Sequence, residues 1–285
     1  MRIVVAVDWS DQAFAAVQAA TRLYSPTALT LVHAVDLGVF EHPAVAQAMA
    51  LQGYEDFRRA MCDAGRQLLD QTSALAPPDG PAVRRVCEIG SPADLILDTA
   101  RSAAADLVVV GARGRGRMAE LVLGSVSHRV LTHATCSALV VKGSLGALRR
   151  VLLAVEGPDD SGRLGTWLRA HPFNKPVEVS VISVAPTPYY GDPAVIPAIR
   201  LWGDASLRAS QELVDGVAAR LNGPGFTATG RALQGDPAEV IGREAAGFDL
   251  VVVGSHGRKG VSRFLLGSVS HSVSHEVACP ILVVR

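Results

Sequence analysis

Two patterns of apolar residues alternate along this chain. Short unbroken blocks, such as Ile3 to Val7 and Leu107 to Val110, contain mostly Val, Ile and Leu with no polar residue between them. A block without polar alternation predicts a strand buried on both faces, as in a parallel sheet. Between the blocks lie longer stretches with apolar positions at helical spacing, for example Phe14, Val17 and Leu23 after a capping Ser10 or Asp11. Strands are predicted over Arg2–Val7, Ala28–Val35, Ala82–Ile89, Leu107–Val110 and Ala138–Lys142. Helices are predicted after Ser10, over Tyr54–Leu75, from Gly90-Ser91-Pro92 with serine as cap and proline in the first turn, and from Gly124-Ser125. The segment 37–53 is ambiguous. Strand and helix taking turns predicts an α/β fold with a mainly parallel sheet and helices on both faces.

The pattern then starts again. After the glycine-bearing boundary at 143–150, Val151 to Val155 repeats Ile3 to Val7, Val177 to Ala185 repeats the second strand, and Gly235 to Glu239 repeats Gly90 to Asp94. Two tandem copies of one domain are expected, residues 1–143 and 150–285. The segment 186–204 replaces 37–53 and is richer in proline and aromatics, which marks a ligand- or partner-facing loop or a surface loop free to drift.

The most detailed repeat runs from Asp106 to Val141 and from Asp249 to Val284, with a constant offset of 143 residues (249 − 106, 254 − 111 and 267 − 124). Each copy carries Gly-x-x-Gly, nine residues, then Gly-Ser: Gly111, Gly114, Gly124 and Ser125, and Gly254, Gly257, Gly267 and Ser268. Glycines after a buried strand let the backbone turn and approach a ligand closely. Gly-Ser followed by an apolar helical pattern opens a helix, whose free amides and dipole suit an anion. The pattern therefore predicts a phosphate site. Glycines that only end strands and cap helices would explain one such loop more readily than two.

Composition narrows the classes. The 285 residues are 49% hydrophobic and 19% charged, which fits two packed cores and excludes a disordered chain. Zero net charge argues against bulk attraction to nucleic acid or membrane. No apolar run approaches the roughly 20 residues of a membrane helix, and the amino-terminal run reads as a strand rather than a signal peptide. Cys62, Cys87, Cys136 and Cys279 form no metal spacing, which fits a cytoplasmic chain with reduced thiols. Cys136 and Cys279 occupy equivalent places and are expected as small core residues.

Taken together, Val5-Ala6-Val7-Asp8, Gly90-Ser91-Pro92-Ala93, the doubled glycine motif and the closing Leu-Val-Val strands resemble the universal stress protein family in its tandem form. The glycine pattern is similar to that of the ATP-binding branch. The resemblance implies two Rossmann-like domains, each with five parallel strands. It places Asp8 near adenine and ribose, the backbone of Ala34 at the adenine, Gly111 and Gly114 along ribose and phosphates, and Gly124, Ser125, Val126 and Ser127 at the phosphates. A magnesium ion would be held by the phosphates rather than by protein ligands. It further implies pairing through the last strands, a homodimer, and a regulatory role with an unidentified protein partner.

In the second copy Glu156 replaces Asp8, and Gly157-Pro158 replaces Trp9-Ser10. The extra methylene moves the carboxylate by about 1.5 Å, and proline removes an amide donor. Val184, Gly254, Gly257, Gly267, Ser268, Val269 and Ser270 keep the rest of the pattern. Two nucleotide sites are therefore expected, the second weaker or altered in base preference. Arg113, Arg115, Arg117, Arg258, Lys259 and Arg263 either neutralise phosphates or form a solvated face. His256, at the place of Arg113, contacts a phosphate, accepts a phosphoryl group, or is an ordinary loop histidine. His128 and His271 read as structural or exposed.

No P-loop, Ser-His-Asp set or paired-carboxylate constellation is present, so no catalytic residue is assigned. The leading expectation is a nucleotide-sensing regulatory module. A slow Mg-dependent ATPase and a nucleotide-free adaptor are the alternatives, and ADP, AMP or a cyclic nucleotide remain open as adenine ligands.

Overall fold

The structure, a computed structural model, describes residues 1–38, 53–114, 123–143, 146–187, 196–255 and 266–285. It divides into two compact units, one ending at Ser144 and the other beginning at Leu145. Among the described residues no helix is long and apolar enough to cross a membrane.

The first unit contains β1 (Arg2–Ala6), α1 (Asp11–Leu23), β2 (Ala28–Val35), α2 (Tyr54–Ser73), β3 (Val83–Ile89), α3 (Pro92–Ser102), β4 (Leu107–Gly111), α4 (Ser125–His133) and β5 (Ser137–Val141). Its strands lie in the order β3-β2-β1-β4-β5, all parallel. Leu107 to Val110 are buried on both faces, as the unbroken apolar block requires; each such side chain contributes about 1.5–3 kcal/mol. Helix α1 faces the sheet with Ala13, Ala16, Val17, Ala19 and Ala20. These small side chains let its backbone come close to β4. Right-handed crossovers put α1 and α2 on one face and α3 and α4 on the other.

The second unit repeats this with β6 (Arg150–Ala154), α5 (Pro158–Ala170), β7 (Val177–Ala185), α6 (Ile196–Leu221), β8 (Phe226–Gln234), α7 (Pro237–Glu244), β9 (Leu250–Gly254), α8 (Ser268–Glu276) and β10 (Ile281–Val284). The strand order is β10-β9-β6-β7-β8, again parallel. Both units are doubly wound α/β sheets, as the strand–helix alternation predicts. In each, the chain reverses its winding direction between two central strands, β1 and β4 or β6 and β9. A crevice opens there at the carboxyl ends of the strands, the usual ligand position in such sheets.

Two local expectations need correction. Ser91 stands at the start of α3, but its hydroxyl makes no capping bond; Pro92 and the Leu95 amide bonded to the Ser91 carbonyl at 3.0 Å begin the helix instead. In the second unit Asp236 does cap, accepting from the amides of Ala238 and Glu239. Cys136 and Cys279 are half-buried rather than core, because they sit in the turns that precede β5 and β10. The ambiguous segment around 39–52 lies outside the described residues.

Candidate functional site

The crevice of the first unit begins where β1 ends. The Val7 amide still joins the ladder, donating to the Val32 carbonyl at 2.8 Å, but the Val7 carbonyl is 2.8 Å from His33 Nδ1. A side chain thus closes the β1–β2 ladder one residue before Asp8. Because a strand's peptides alternate in direction, the amide and carbonyl of Ala34 turn to the β1 side beyond that last bond. No described residue bonds them. A planar donor–acceptor edge laid against Ala34 would meet one donor and one acceptor.

Asp8 follows, half-buried. Its Oδ1 accepts from the Ser10 amide at 2.9 Å and from the Ser10 hydroxyl. Ser10 is also the cap of α1, accepting from the Ala13 amide at 3.2 Å. The other oxygen, Oδ2, lies over Gly114: a Cβ built there would sit 2.5 Å from it. Glycine at 114 is what lets the carboxylate lie against the loop. Gly111 is required for a different reason. A Cβ there would stand 2.9 Å from Gln12 Cβ, 3.0 Å from its carbonyl carbon and 3.1 Å from its carbonyl oxygen, so α1 packs backbone against backbone on the end of β4.

The loop after β4 is tied on both sides. The Ala112 amide donates to the Val141 carbonyl, and the Ala112 carbonyl accepts from the Gly124 amide, each at 2.8 Å. The Arg113 amide donates to Gln12 Oε1 at 2.7 Å. Gly124 is the cap of α4, and the His128 amide returns to its carbonyl at 2.9 Å. The amides of Ser125, Val126 and Ser127 have no acceptor among the described residues. Ser125 is exposed, Val126 half-buried and Ser127 buried. The Ser127 hydroxyl donates to the Ala112 carbonyl at 2.7 Å and lies 2.9 Å from the Gly124 carbonyl. Its hydrogen is therefore committed to the loop, which leaves its amide as its donor without an acceptor among the described residues.

The second unit keeps the frame and changes the lining. The Ser255 amide donates to the Val284 carbonyl at 2.9 Å, and the Gly267 amide donates to the Ser255 carbonyl at 2.8 Å. Gly267 caps α8; Ser268 is exposed, Val269 half-buried and Ser270 buried. The Ser270 hydroxyl donates to the Gly254 carbonyl at 2.6 Å. The Val155 amide meets the Ile182 carbonyl, and by the same alternation Val184 corresponds to Ala34, with buried Ser183 in place of His33. Glu156 is exposed, where Asp8 is half-buried. His256 and Gly257 lie outside the described residues, as do Arg115, Arg117, Arg258, Lys259 and Arg263.

Asp160 and Arg163 are two residues of this lining that pattern reasoning did not single out. Their side chains lie against Gly254: a Cβ there would stand 3.0 Å from Asp160 Cγ and 2.8 Å from Arg163 Nη2. Asp160 accepts from Arg163 Nη2 at 2.6 Å and from the Glu156 amide at 3.2 Å. Only 12% of its side chain is exposed. Burial raises its pKa above the ordinary aspartate value, against the lowering effects of the Glu156 amide and Arg163. A carboxylate and an arginine three residues apart on a helix are visible in sequence; their burial against a glycine 94 residues away (254 − 160) is not.

With this geometry in hand, the comparisons agree with one another. A sequence model of the universal stress protein family matches residues 1–142 and again 147–285. A universal stress protein of Mycolicibacterium smegmatis is 32% identical over 99% of this chain and 96% of its own length. One from Mycobacterium tuberculosis is 30% identical over 99% of this chain and 96% of its own. The crystal structure of a universal stress protein from Archaeoglobus fulgidus matches all of this chain and 96% of that one, with a TM-score of 0.65 at 18% identity, a likeness of fold.

Proposed function

This chain belongs to the universal stress protein family, in tandem two-domain form, and from that premise we propose that it is a nucleotide-responsive regulatory module whose first unit binds an adenine nucleotide, ATP in the first instance. The observation that carries the reading is the convergence of three unlike groups on one crevice. The Ala34 peptide edge faces past the end of the β1–β2 ladder. Asp8 lies against Gly114. The amides of Ser125, Val126 and Ser127 open α4. Edge recognition, a carboxylate for ribose hydroxyls and a helix start for phosphates are the three chemistries a nucleotide needs.

Magnesium belongs to the proposal as an ion carried by the phosphates, where it would neutralise charge. The chain's own residues orient: Asp8 fixes the sugar, and α4 fixes the phosphates. No described group is arranged as an acceptor or a water-positioning base, so any hydrolysis would be slow and incidental. The second unit offers Glu156, Val184, Gly254, Gly267, Ser268, Val269 and Ser270 to a weaker site. Bound nucleotide would order the glycine loop and change a surface read by a partner protein or by a second copy of the chain.

Thermal denaturation tests binding. Mg-ATP at 100 times its dissociation constant adds about 2.7 kcal/mol, a rise of several degrees in Tm. Limited proteolysis tests regulation: protection of the glycine loops by Mg-ATP supports it, and identical cleavage with and without nucleotide counts against it.

A further inference from the structure

The two glycine loops share most of their frame. In both, the residue after the first glycine donates to the last strand, at 2.8 Å for Ala112 and 2.9 Å for Ser255. In both, its carbonyl accepts from the helix-capping glycine at 2.8 Å. The units differ in what the first turn of the preceding helix does. In the first unit Gln12 reaches across the crevice to the Arg113 amide at 2.7 Å, and the Ser10 hydroxyl lies 3.4 Å from the Arg113 carbonyl. Both backbone polar groups of Arg113, between the two glycines, thus face side chains at the start of α1. In the second unit Pro158 replaces Ser10 and has no hydroxyl. Asp160, one methylene shorter than Gln12, turns its oxygens back to the Glu156 amide and to Arg163.

We infer that Gln12 is the positioning residue that holds the first glycine loop ready for its ligand, and that Asp160, engaged by Arg163 and the Glu156 amide, does not serve the second unit in this way. The inference rests on the nucleotide reading above and explains why the two crevices should differ. A loop tied at Arg113 keeps Gly114 against Asp8 before the ligand arrives, so less ordering is needed on binding. In the second unit the ion pair occupies the strand end, where the backbone of α1 lies in the first.

The test uses the full chain. Amide exchange is followed over residues 111–114, and Mg-ATP is titrated into protein whose second site is blocked by Gly267→Leu. Gln12→Met keeps the Cβ contact with Gly111 but removes the acceptor. It should speed exchange of the Arg113 amide and weaken binding about fivefold, the value of one hydrogen bond, with a loss of no more than about 1 kcal/mol in stability without ligand. Gln12→Glu, which keeps an oxygen acceptor, should retain the exchange protection. In chains whose first site is blocked by Gly124→Leu, Asp160→Gln with Arg163→Ala should tighten the second site by a similar factor. Gln12→Met with faster exchange but wild-type affinity would overturn the inference alone. A wild type that binds no Mg-ATP would overturn the nucleotide reading and this inference with it.

Discussion

Gly65 and Gly216 both lie inside long helices, and alanine should have opposite effects at the two sites. In an open helical site the substitution gains about 0.8–1 kcal/mol, because alanine loses less backbone entropy than glycine. Gly216, on α6, is such a site: the nearest atom to an added Cβ is Arg220 Nη1 at 3.5 Å, an ordinary contact. Gly65, on α2, is not. Its Cβ would stand 2.7 Å from both Cys87 Sγ and His33 Cδ2 and 3.3 Å from His33 Nε2. Neither neighbour yields readily. The imidazole is buried and held by the Val7 carbonyl, and the thiol points at the Cys62 carbonyl at 3.7 Å. Overpacking of this kind costs about 1–3 kcal/mol. With both partners held, the upper part of that range applies. After the propensity gain, Gly65→Ala should destabilise by about 1–2 kcal/mol, and its melting transition should fall by about 3–6 °C. Gly216→Ala should raise Tm by about 2–3 °C on the same scale. Calorimetry of the two single variants reads both signs. If Gly65→Ala also stabilises, α2 does not lie against the His33 ring, and the ladder closure that frees Ala34 loses its support.

Three further outcomes follow from the same geometry. Gly114→Ala puts a Cβ 2.5 Å from Asp8 Oδ2; the carboxylate can swing aside, so Tm should change by less than about 2 °C while Mg-ATP affinity falls about tenfold, as read by calorimetric titration. Ser127→Ala removes a buried donor from the Ala112 carbonyl, which keeps the Gly124 amide, and should cost about 1 kcal/mol in urea denaturation. Asp160 has a raised pKa in the fold, so the folded chain binds its proton more tightly than the unfolded chain does. Its contribution to stability is full below the ordinary aspartate pKa of about 4 and is lost as pH rises through the folded value. Asp160→Asn should flatten that part of the Tm–pH curve, and an unchanged curve would show that burial does not govern this group.

Much of the fold was legible in sequence because burial on both faces of a parallel strand leaves an unmistakable mark. Leu107 to Val110 and Leu250 to Val253 could hardly be anything else. The glycines were legible as a set, but their separate reasons were not. Gly111 answers to the Gln12 backbone and Gly114 to the Asp8 carboxylate, each roughly a hundred residues away in sequence. Gln12 itself carries no pattern: a glutamine in the first turn of a helix is ordinary until folding brings Arg113 to it. Asp160 was hidden for the same reason, since spacing reveals an ion pair on a helix but not the strand end beneath it. Ser91 shows the opposite limit, a sequence signal for a cap that its hydroxyl does not fulfil. The expectations for His256 and Gly257 fall outside the described residues.

The first crevice is proposed as a nucleotide site and the second as a weaker one. Isothermal titration of nucleotide-stripped chain with Mg-ATP tests it directly. One tight equivalent per chain is expected, with any second equivalent about tenfold weaker or more. The tight equivalent should disappear in Gly124→Leu and persist in Gly267→Leu. No heat and no thermal shift, or a tight equivalent lost through Gly267→Leu instead, would contradict it.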